Sequence, residues 1–309
     1  MKIFVSNLNE SWIVDRFRNE WIEENREFFT EKIKEADIIW IISPWTWQKI
    51  PKKYLKSKFV ICTIHHLEDK DFTGSGKKEF LKRDKYVDIY HTISENSYKQ
   101  ILKLTDKKIE ILPFWVNDDI FYPINNKLEI RKKYNLPTES YIIGSFQRDS
   151  EGNNLTSPKM IKGPDRFIEI LKEKLVDYPN LTILLTGKRR SYIISKLKEL
   201  DINYIYFEMV SVQELNELYN SLDLYIVSSR VEGGPQAIFE CAATKTSIIS
   251  TDVGIAKEIL NKKSIFDMEN FTLAVPDVDT AYKNVQKYTK NKGLDNFRIF
   301  FNKVYSELK

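Results

Sequence analysis

The chain has 309 residues, roughly two domains' worth at about 150 residues each, and its 42% apolar and 13% aromatic content excludes wholesale disorder. Its 48 Lys and Arg nearly cancel 44 Asp and Glu, and a net charge of +4 over this length gives no nucleic-acid footprint. The two cysteines, Cys62 and Cys241, stand in apolar contexts, which excludes a disulfide scaffold and a Cys-based zinc site and suits a reducing compartment. Residues 1–5 read as a strand rather than a signal peptide. No apolar run approaches the roughly 20 residues of a membrane span, 38–42 being typical of the longest. The expectation is a soluble, cytoplasmic α/β protein, with peripheral contact at the inner face of the membrane left open.

In chain order, short β-rich runs alternate with helical patterns, the signature of parallel sheets covered by helices. Strands are predicted at 3–6, 38–43, 59–64, 89–93 and 109–112, with a helix over 12–35. Near 113–123 the pattern turns aromatic and turn-rich, and 127–134 reads as a short helix ending before Pro137. A second series begins at strand 141–146 and continues as helix 164–176, strand 182–186, helix 190–200 and strand 204–207. Helix 212–220, strand 224–228, helix 235–243 and strand 247–250 follow, with closing helices at 278–289 and 296–308. The pattern predicts two doubly wound lobes, a fold that takes ligands at the carboxyl ends of its strands.

Chemistry concentrates in the run from Ser228 to Glu240. A strand leaves through Ser228, Gly233 and Gly234 follow, and Pro235 sits where a first-turn proline belongs. Such a turn presents backbone N–H groups and the positive end of a helix dipole, which suits a phosphate. Glu232 precedes the turn and Glu240 lies inside the helix. An ordinary strand–loop–helix joint with a solvated Glu is the plain alternative.

Glu232 and Glu240 have the E-x7-E spacing of the retaining nucleotide-sugar glycosyltransferases of the two-lobed GT-B fold, the group called family 4, and the chain resembles that family over about residues 59–260. Ile143-Gly144-Ser145-Phe146-Gln147-Arg148, followed by Lys162-Gly163-Pro164-Asp165, is similar to its strand–Arg and Lys-Gly-x-Asp phosphate-binding pair. Residues 182–187, 218–229 and Thr251-Asp252-Val253-Gly254 with Glu258 resemble the segments around the E-x7-E loop, and 92–95 and 111–123 the interlobe signature.

The resemblance implies two Rossmann-like lobes facing a central cleft: an acceptor-side lobe over 1–122, a donor-binding lobe over 123–290, and a final helix in 291–309 crossing back to the first lobe. Arg148 and Lys162 would hold the donor diphosphate, where fixed cations stabilise the charge that builds on the leaving phosphate. The backbone around Gly233, Gly234, Pro235, Gln236 and Ala237 would add to this. Glu240 would take the ribose hydroxyls and Glu232 the sugar. His65, at the end of strand 59–64, matches the family's strand-end His facing the donor sugar, with His66 beside it able to exchange roles; His91, inside a strand pattern, reads as structural. Retention of anomeric configuration is implied, by a front-face route because no nucleophilic carboxylate can be placed.

Several features depart from the family. The first lobe is short, and Ser6-Asn7-Leu8-Asn9 replaces its glycine-rich loop. Thr244-Lys245-Thr246 stands where a Gly cap is usual, and Trp115 where a Gly is common. The Asp-x-Asp pairs 69–71 and 277–279 could hold a divalent ion, but the second opens a predicted helix and the first lies in a charged loop, so no metal is expected. Residues 45–58 hold Trp45, Trp47 and five lysines without an acid. That composition suits an anionic membrane interface or sugar stacking in an acceptor site, against a helix that turns its tryptophans inward. The basic run 188–190 follows a strand-end glycine, either assisting the donor nucleotide or lying exposed.

The expected activity is metal-independent, cofactor-free, retaining transfer of a sugar from a nucleoside diphosphate donor to a hydroxyl of a glycan or lipid-linked acceptor, in surface polysaccharide or glycoconjugate synthesis. A sugar epimerase or phosphorylase on the same fold is the rival enzyme. A catalytically silent homologue that binds glycan or a partner protein is the rival of another class.

Overall fold

The computed structural model describes residues 1–7, 13–152 and 155–309. The chain forms two compact units, one of Met1–Trp115 with Lys290–Lys309 and one of Val116–Thr289. The division falls after residue 115, seven residues before the expected boundary.

In the first unit a five-stranded parallel sheet runs β1 (Ile3–Val5), β2 (Ile38–Ile41), β3 (Phe59–Ile64), β4 (Ile89–Thr92) and β5 (Lys108–Ile111), in that spatial order. The helices are α1 (Ile13–Glu24), α2 (Lys52–Leu55), α3 (Gly74–Asp84) and α4 (Glu95–Ile101). Both faces of the sheet are covered, because successive strand residues point to opposite sides. Trp40, Ile42 and Ile61 meet α1 through Val14, Phe17 and Trp21, whereas Ile39, Ile41 and Cys62 meet Trp47, Leu55, Phe80 and Ile101. The helix expected over 12–35 begins, among the described residues, at Ile13 and ends at Glu24; Trp12 lies outside them, as do residues 8 and 9 of the unusual first loop. Beyond Glu24 the backbone serves β1 instead: Ile3 N–H donates to Phe28 O, and Thr30 N–H to Ile3 O. Helices α3 and α4, unread in the sequence, complete the far layer.

The second unit contains α5 (Lys127–Lys133), β6 (Ile142–Ser145), the short pair β7 (Ser150–Glu151) and β8 (Ser157–Pro158), and α6 (Pro164–Asp177). Then come β9 (Thr182–Thr186), α7 (Ser191–Glu199), β10 (Asn203–Phe207), α8 (Val212–Ser221), β11 (Leu224–Val227) and α9 (Gln236–Ala243). β12 (Ile248–Thr251), α10 (Ala256–Ile259), β13 (Ile265–Phe266) and α11 (Val278–Val285) close it. Its six-stranded parallel sheet runs β10-β9-β6-β11-β12-β13. This is the doubly wound order, in which the direction of winding reverses between β6 and β11; ligands enter such sheets at the carboxyl ends beside that reversal. α6 and α7 cover one face, and α8, α9, α10 and α11 the other.

The last helix, α12 (Lys290–Glu307), belongs to the first unit. Phe297 and Phe301 pack with Trp21, Trp40 and Phe114. It starts six residues earlier than expected, because Gly293, which reads as a breaker, is a packing position. A Cβ there would lie 2.5 Å from the Trp115 Cβ. Trp115 is fully buried and donates its indole N–H to Glu20 at 2.6 Å. No helix among the described residues is long and apolar enough to cross a membrane. Cys62 and Cys241 are both buried free thiols.

Candidate functional site

The two loops that leave β6 and β11, beside the winding reversal, bring most of the predicted second-unit residues together. From β6 the chain continues through Phe146, Gln147 and Arg148; Arg148 is exposed. Lys162 ends a short 3-10 turn (Met160–Lys162), and Gly163 carries the chain into α6. Gly163 has φ +60°, and a Cβ on it would lie 1.9 Å from Ser228 O, so only glycine fits. Ser228 Oγ donates to Gly163 O at 2.9 Å, and the N–H groups of Arg230 and Val231 donate to Ile161 O. The Lys162 turn and the β11 loop are thus one backbone-bonded unit.

Its side chains converge as well. Lys162 Nζ lies 2.5 Å from Glu232 Oε1, and both are largely withdrawn from solvent. Ser229 Oγ donates to the same Glu232 oxygen at 3.0 Å. Gln147 Nε2 donates to Lys162 O at 3.1 Å, and Gln147 Oε1 lies 3.3 Å from Ser229 Oγ. Arg230 clamps Asp165 through two bonds of 2.7 and 2.6 Å, and those bonds hold the Asp165 carboxyl below the ordinary range. Asp165 is therefore the brace of the Lys-Gly-x-Asp segment.

On the far side of the loop, Gly254 (φ +53°) lets the β12 loop approach Gly233 and Pro235; a Cβ there would lie 2.6 Å from Gly233 O. Thr251 Oγ1 donates to Ser229 O at 2.7 Å. Helix α9 starts at Gln236, with Pro235 as its N-cap rather than its first-turn residue. Gln236 and Ala237, at the start of that helix, are half-buried. Glu240, one turn in, is only 4% exposed, and its Oε2 accepts from the Tyr219 hydroxyl at 2.9 Å. Burial first, then the neighbouring carboxylate, raise the Tyr219 phenol, so it remains a donor.

Beneath Arg148 lies a buried ion pair that the sequence does not announce. Arg190 is 1% exposed and donates from Nε to Asp149 Oδ2 at 2.6 Å, and from Nη1 to Ser145 O and Thr186 O at 2.7 and 3.0 Å. Asp149 Oδ1 accepts from Ser150 Oγ and Ile193 N–H. Of the basic run 188–190, Lys188 and Arg189 are exposed, whereas Arg190 is neither exposed nor a surface ligand residue. It ties the ends of β6 and β9 to the start of α7.

The remaining candidates belong to the first unit. His65, directly after β3, is half-buried, donates from Nε2 to Ile42 O at 2.9 Å and stacks on Phe114. Donation from Nε2 leaves Nδ1 as the acceptor of the neutral ring. Burial pushes its pKa down to about 4. His66 faces Glu68 at 3.8 Å. His91 is fully buried: Nε2 donates to Leu112 O at 2.7 Å, and Nδ1 accepts from Thr63 Oγ1 at 2.8 Å, which itself accepts from the Trp40 indole. Trp47 turns inward and donates to Glu79, while Trp45 is 44% exposed, so the two tryptophans divide between the two readings of 45–58. Asp69 and Asp71 lie in a 3-10 turn capped reciprocally by the Glu68 and Asp71 carboxylates, and Asp277 caps α11.

The profile of the family described as "Glycosyl transferases group 1" matches residues 126–298, more than half of the chain. The chain is 26% identical over 300 residues to a probable sucrose-phosphate synthase of Thermosipho melanesiensis, covering 92% of this chain and 58% of that protein. It is 22% identical over 198 residues to the O-antigen biosynthesis glycosyltransferase WclY of Escherichia coli, covering 60% of this chain and 53% of that one. The chain therefore spans a little over half the length of these curated relatives. Among solved structures, that of Anabaena HepE in complex with UDP and glucose aligns with a TM-score of 0.76 at 10% identity, covering 98% of this chain and 100% of that one. This likeness establishes the fold as GT-B, with two Rossmann-like lobes.

Proposed function

Since the chain belongs to the group 1 glycosyl transferases, we propose that it moves a sugar, with retention, from a nucleoside diphosphate donor to a hydroxyl of a glycan or lipid-linked acceptor. The observation that carries this reading is the convergence of Lys162, Glu232, Ser229 and Gln147 at the winding reversal of the second unit. A diphosphate there would meet the Lys162 ammonium, the exposed Arg148 and the start of α9. A sugar–phosphate bond breaks by placing charge on the leaving oxygen, and fixed cations together with helix N–H groups stabilise that charge. Protein cations at this position supply what a divalent ion supplies in metal-dependent transfer, which supports the metal-independent reading.

The Lys162–Glu232 pair assigns a second role. With Lys162 turned to phosphate, the Glu232 carboxylate stays close by, held by Ser229, and becomes an acceptor for sugar hydroxyls. Glu240 sits deeper, anchored by Tyr219, and its carboxylate suits a ribose. WclY, an O-antigen biosynthesis enzyme, and HepE, whose structure holds UDP and glucose, support a glycan acceptor and a uridine donor as the first to be tried.

The test is product formation from nucleotide sugars with extracted glycolipid as acceptor, with and without a chelator. The proposal requires transfer that survives chelation and a product bond of unchanged anomeric configuration. Replacing Glu232 by Gln and Arg148 by Ala, each folded, should lower turnover at least ~100-fold, the scale of losing a group that stabilises transition-state charge. Full biological output from both variants would move the chain to the silent-homologue reading.

A further inference from the structure

In the first unit, two segments adjoin through Glu79, which accepts from the Trp47 indole at 2.9 Å and from Gln48 at 2.5 Å. They share a core of Trp47, Ile50, Leu55 and Phe80. One segment is 44–58, the other α3 with Lys85. Together they hold ten cations against two carboxylates, a local charge of +8 in a chain whose total is +4. Eight of the ten are exposed lysines: Lys49, Lys52, Lys53 and Lys56 on the first segment, and Lys77, Lys78, Lys82 and Lys85 on the second. Both carboxylates are engaged, Glu79 as above and Asp84 by the Thr105 hydroxyl. Of the acids of the preceding turn, Glu68 and Asp71 are bound to that turn's own groups, and Asp69 is exposed.

Apolar surface lies among these charges. Trp45 is 44% exposed, and Leu81 is 41% exposed with Lys77, Lys78 and Lys85 three or four positions away. An indole with one wet edge and an apolar face is the side chain that settles at a bilayer interface. The only arginine in the two segments, Arg83, is buried against Phe80. The exposed cations are therefore point charges on long stems, suited to a diffuse layer of headgroups rather than to the bidentate phosphate recognition that arginine provides.

We infer that this face of the first unit docks on an anionic lipid surface, with Trp45 and Leu81 entering the interface and the lysines over the headgroups. Each lysine held at such a surface raises partitioning about fivefold, within a Debye length of about 10 Å at moderate salt. The interaction does not depend on the donor site of the second unit, so its failure and the failure of the transferase reading are separable.

The experiment is co-sedimentation of the full chain with vesicles of phosphatidylcholine alone, and of phosphatidylcholine mixed with phosphatidylglycerol, at low and raised salt. Binding is expected only to the anionic vesicles and should fall as salt rises. The variant carrying Lys49→Glu, Lys52→Glu, Lys53→Glu and Lys56→Glu should lose at least ~100-fold in partitioning, and Trp45→Ala severalfold. A control with Lys172→Glu and Lys198→Glu in the second unit should bind as the wild type does. Circular dichroism and an unchanged urea midpoint identify variants that fold. The inference is overturned if anionic vesicles do not bind the wild type, if the four-lysine variant binds equally well, or if a soluble polyanion such as heparin binds while vesicles do not.

Discussion

Lys162 and Glu232 neutralise one another at 2.5 Å, and each is too deeply set for water to replace its partner fully. Removing either leaves a charge without its counterpart, which costs about 3–5 kcal/mol at a buried pair and less here because both retain some exposure. Lys162→Ala should therefore unfold at lower denaturant and bind a nucleoside diphosphate at least ~10-fold more weakly, whereas Lys162→Arg should restore most of the binding. Calorimetry on both variants reads this; equal affinity in all three proteins would remove Lys162 from the phosphate site. Arg190 belongs to the same scale but to stability. It is completely buried and bonded on three nitrogens, so Arg190→Met should cost about 3–5 kcal/mol in urea titrations. Because Asp149 and Ser145 flank the Arg148 loop, that variant should also weaken nucleotide binding in whatever fraction remains folded.

At the scale of elements, Gly163 shows how a single backbone position joins two loops into one site. Its left-handed conformation and its contact with Ser228 O leave no room for a side chain. Gly163→Ala should separate the Lys162 turn from β11, with a loss of several kcal/mol and little nucleotide binding, whereas Gly187→Ala, where a Cβ would meet only Phe146 O at 3.6 Å, should be the milder of the two despite its own φ strain. The Lys-Gly-x-Asp segment was legible in the sequence through its resemblance to the family's motif, and the glycine in it is the residue that the close approach to Ser228 requires. Helix ends were harder to read. The periodicity of 12–35 continues past Glu24 in composition, but residues 28–30 bond to β1, and no local signal announces a strand edge that needs covering. The start of α12 was missed for the opposite reason: Gly293 reads as a breaker until Trp115 is seen against it. Helix α3, beginning with two glycines and crowded with lysines, lacks the apolar stripe on which such a prediction depends.

For the whole molecule, the second unit was more legible than the first, because its candidate residues lie in short motifs at strand ends whereas the first unit offers few such motifs and its loops follow no fixed pattern. Strand order was not legible at all. That β6 and β11 are neighbours depends on long-range pairing, and this pairing puts the Arg148 and Glu232 loops side by side. Stability should report on the first unit's core through His91. Burial holds its pKa at about 4 against an ordinary 6.5, so the unfolded chain binds the extra proton between those values. Stability is then complete above about pH 6.5 and falls as pH drops toward 4, by on the order of 3 kcal/mol for His91 alone. His65 adds in the same direction. Urea titrations across that window should show the slope, and His91→Gln should flatten it; a slope unchanged in the variant would assign the acid sensitivity elsewhere.

The proposed activity requires that the second unit hold a nucleoside diphosphate at the reversal between β6 and β11. It is tested most directly by calorimetry with UDP, GDP, ADP and dTDP, chelator present, on the wild type and on Glu240→Gln, which keeps an acceptor for Tyr219. One nucleotide should bind selectively and bind at least ~10-fold more weakly to the variant, the scale of a lost hydrogen bond to a charged group. No binding by the wild type with or without magnesium, or equal binding by the variant, would contradict the account.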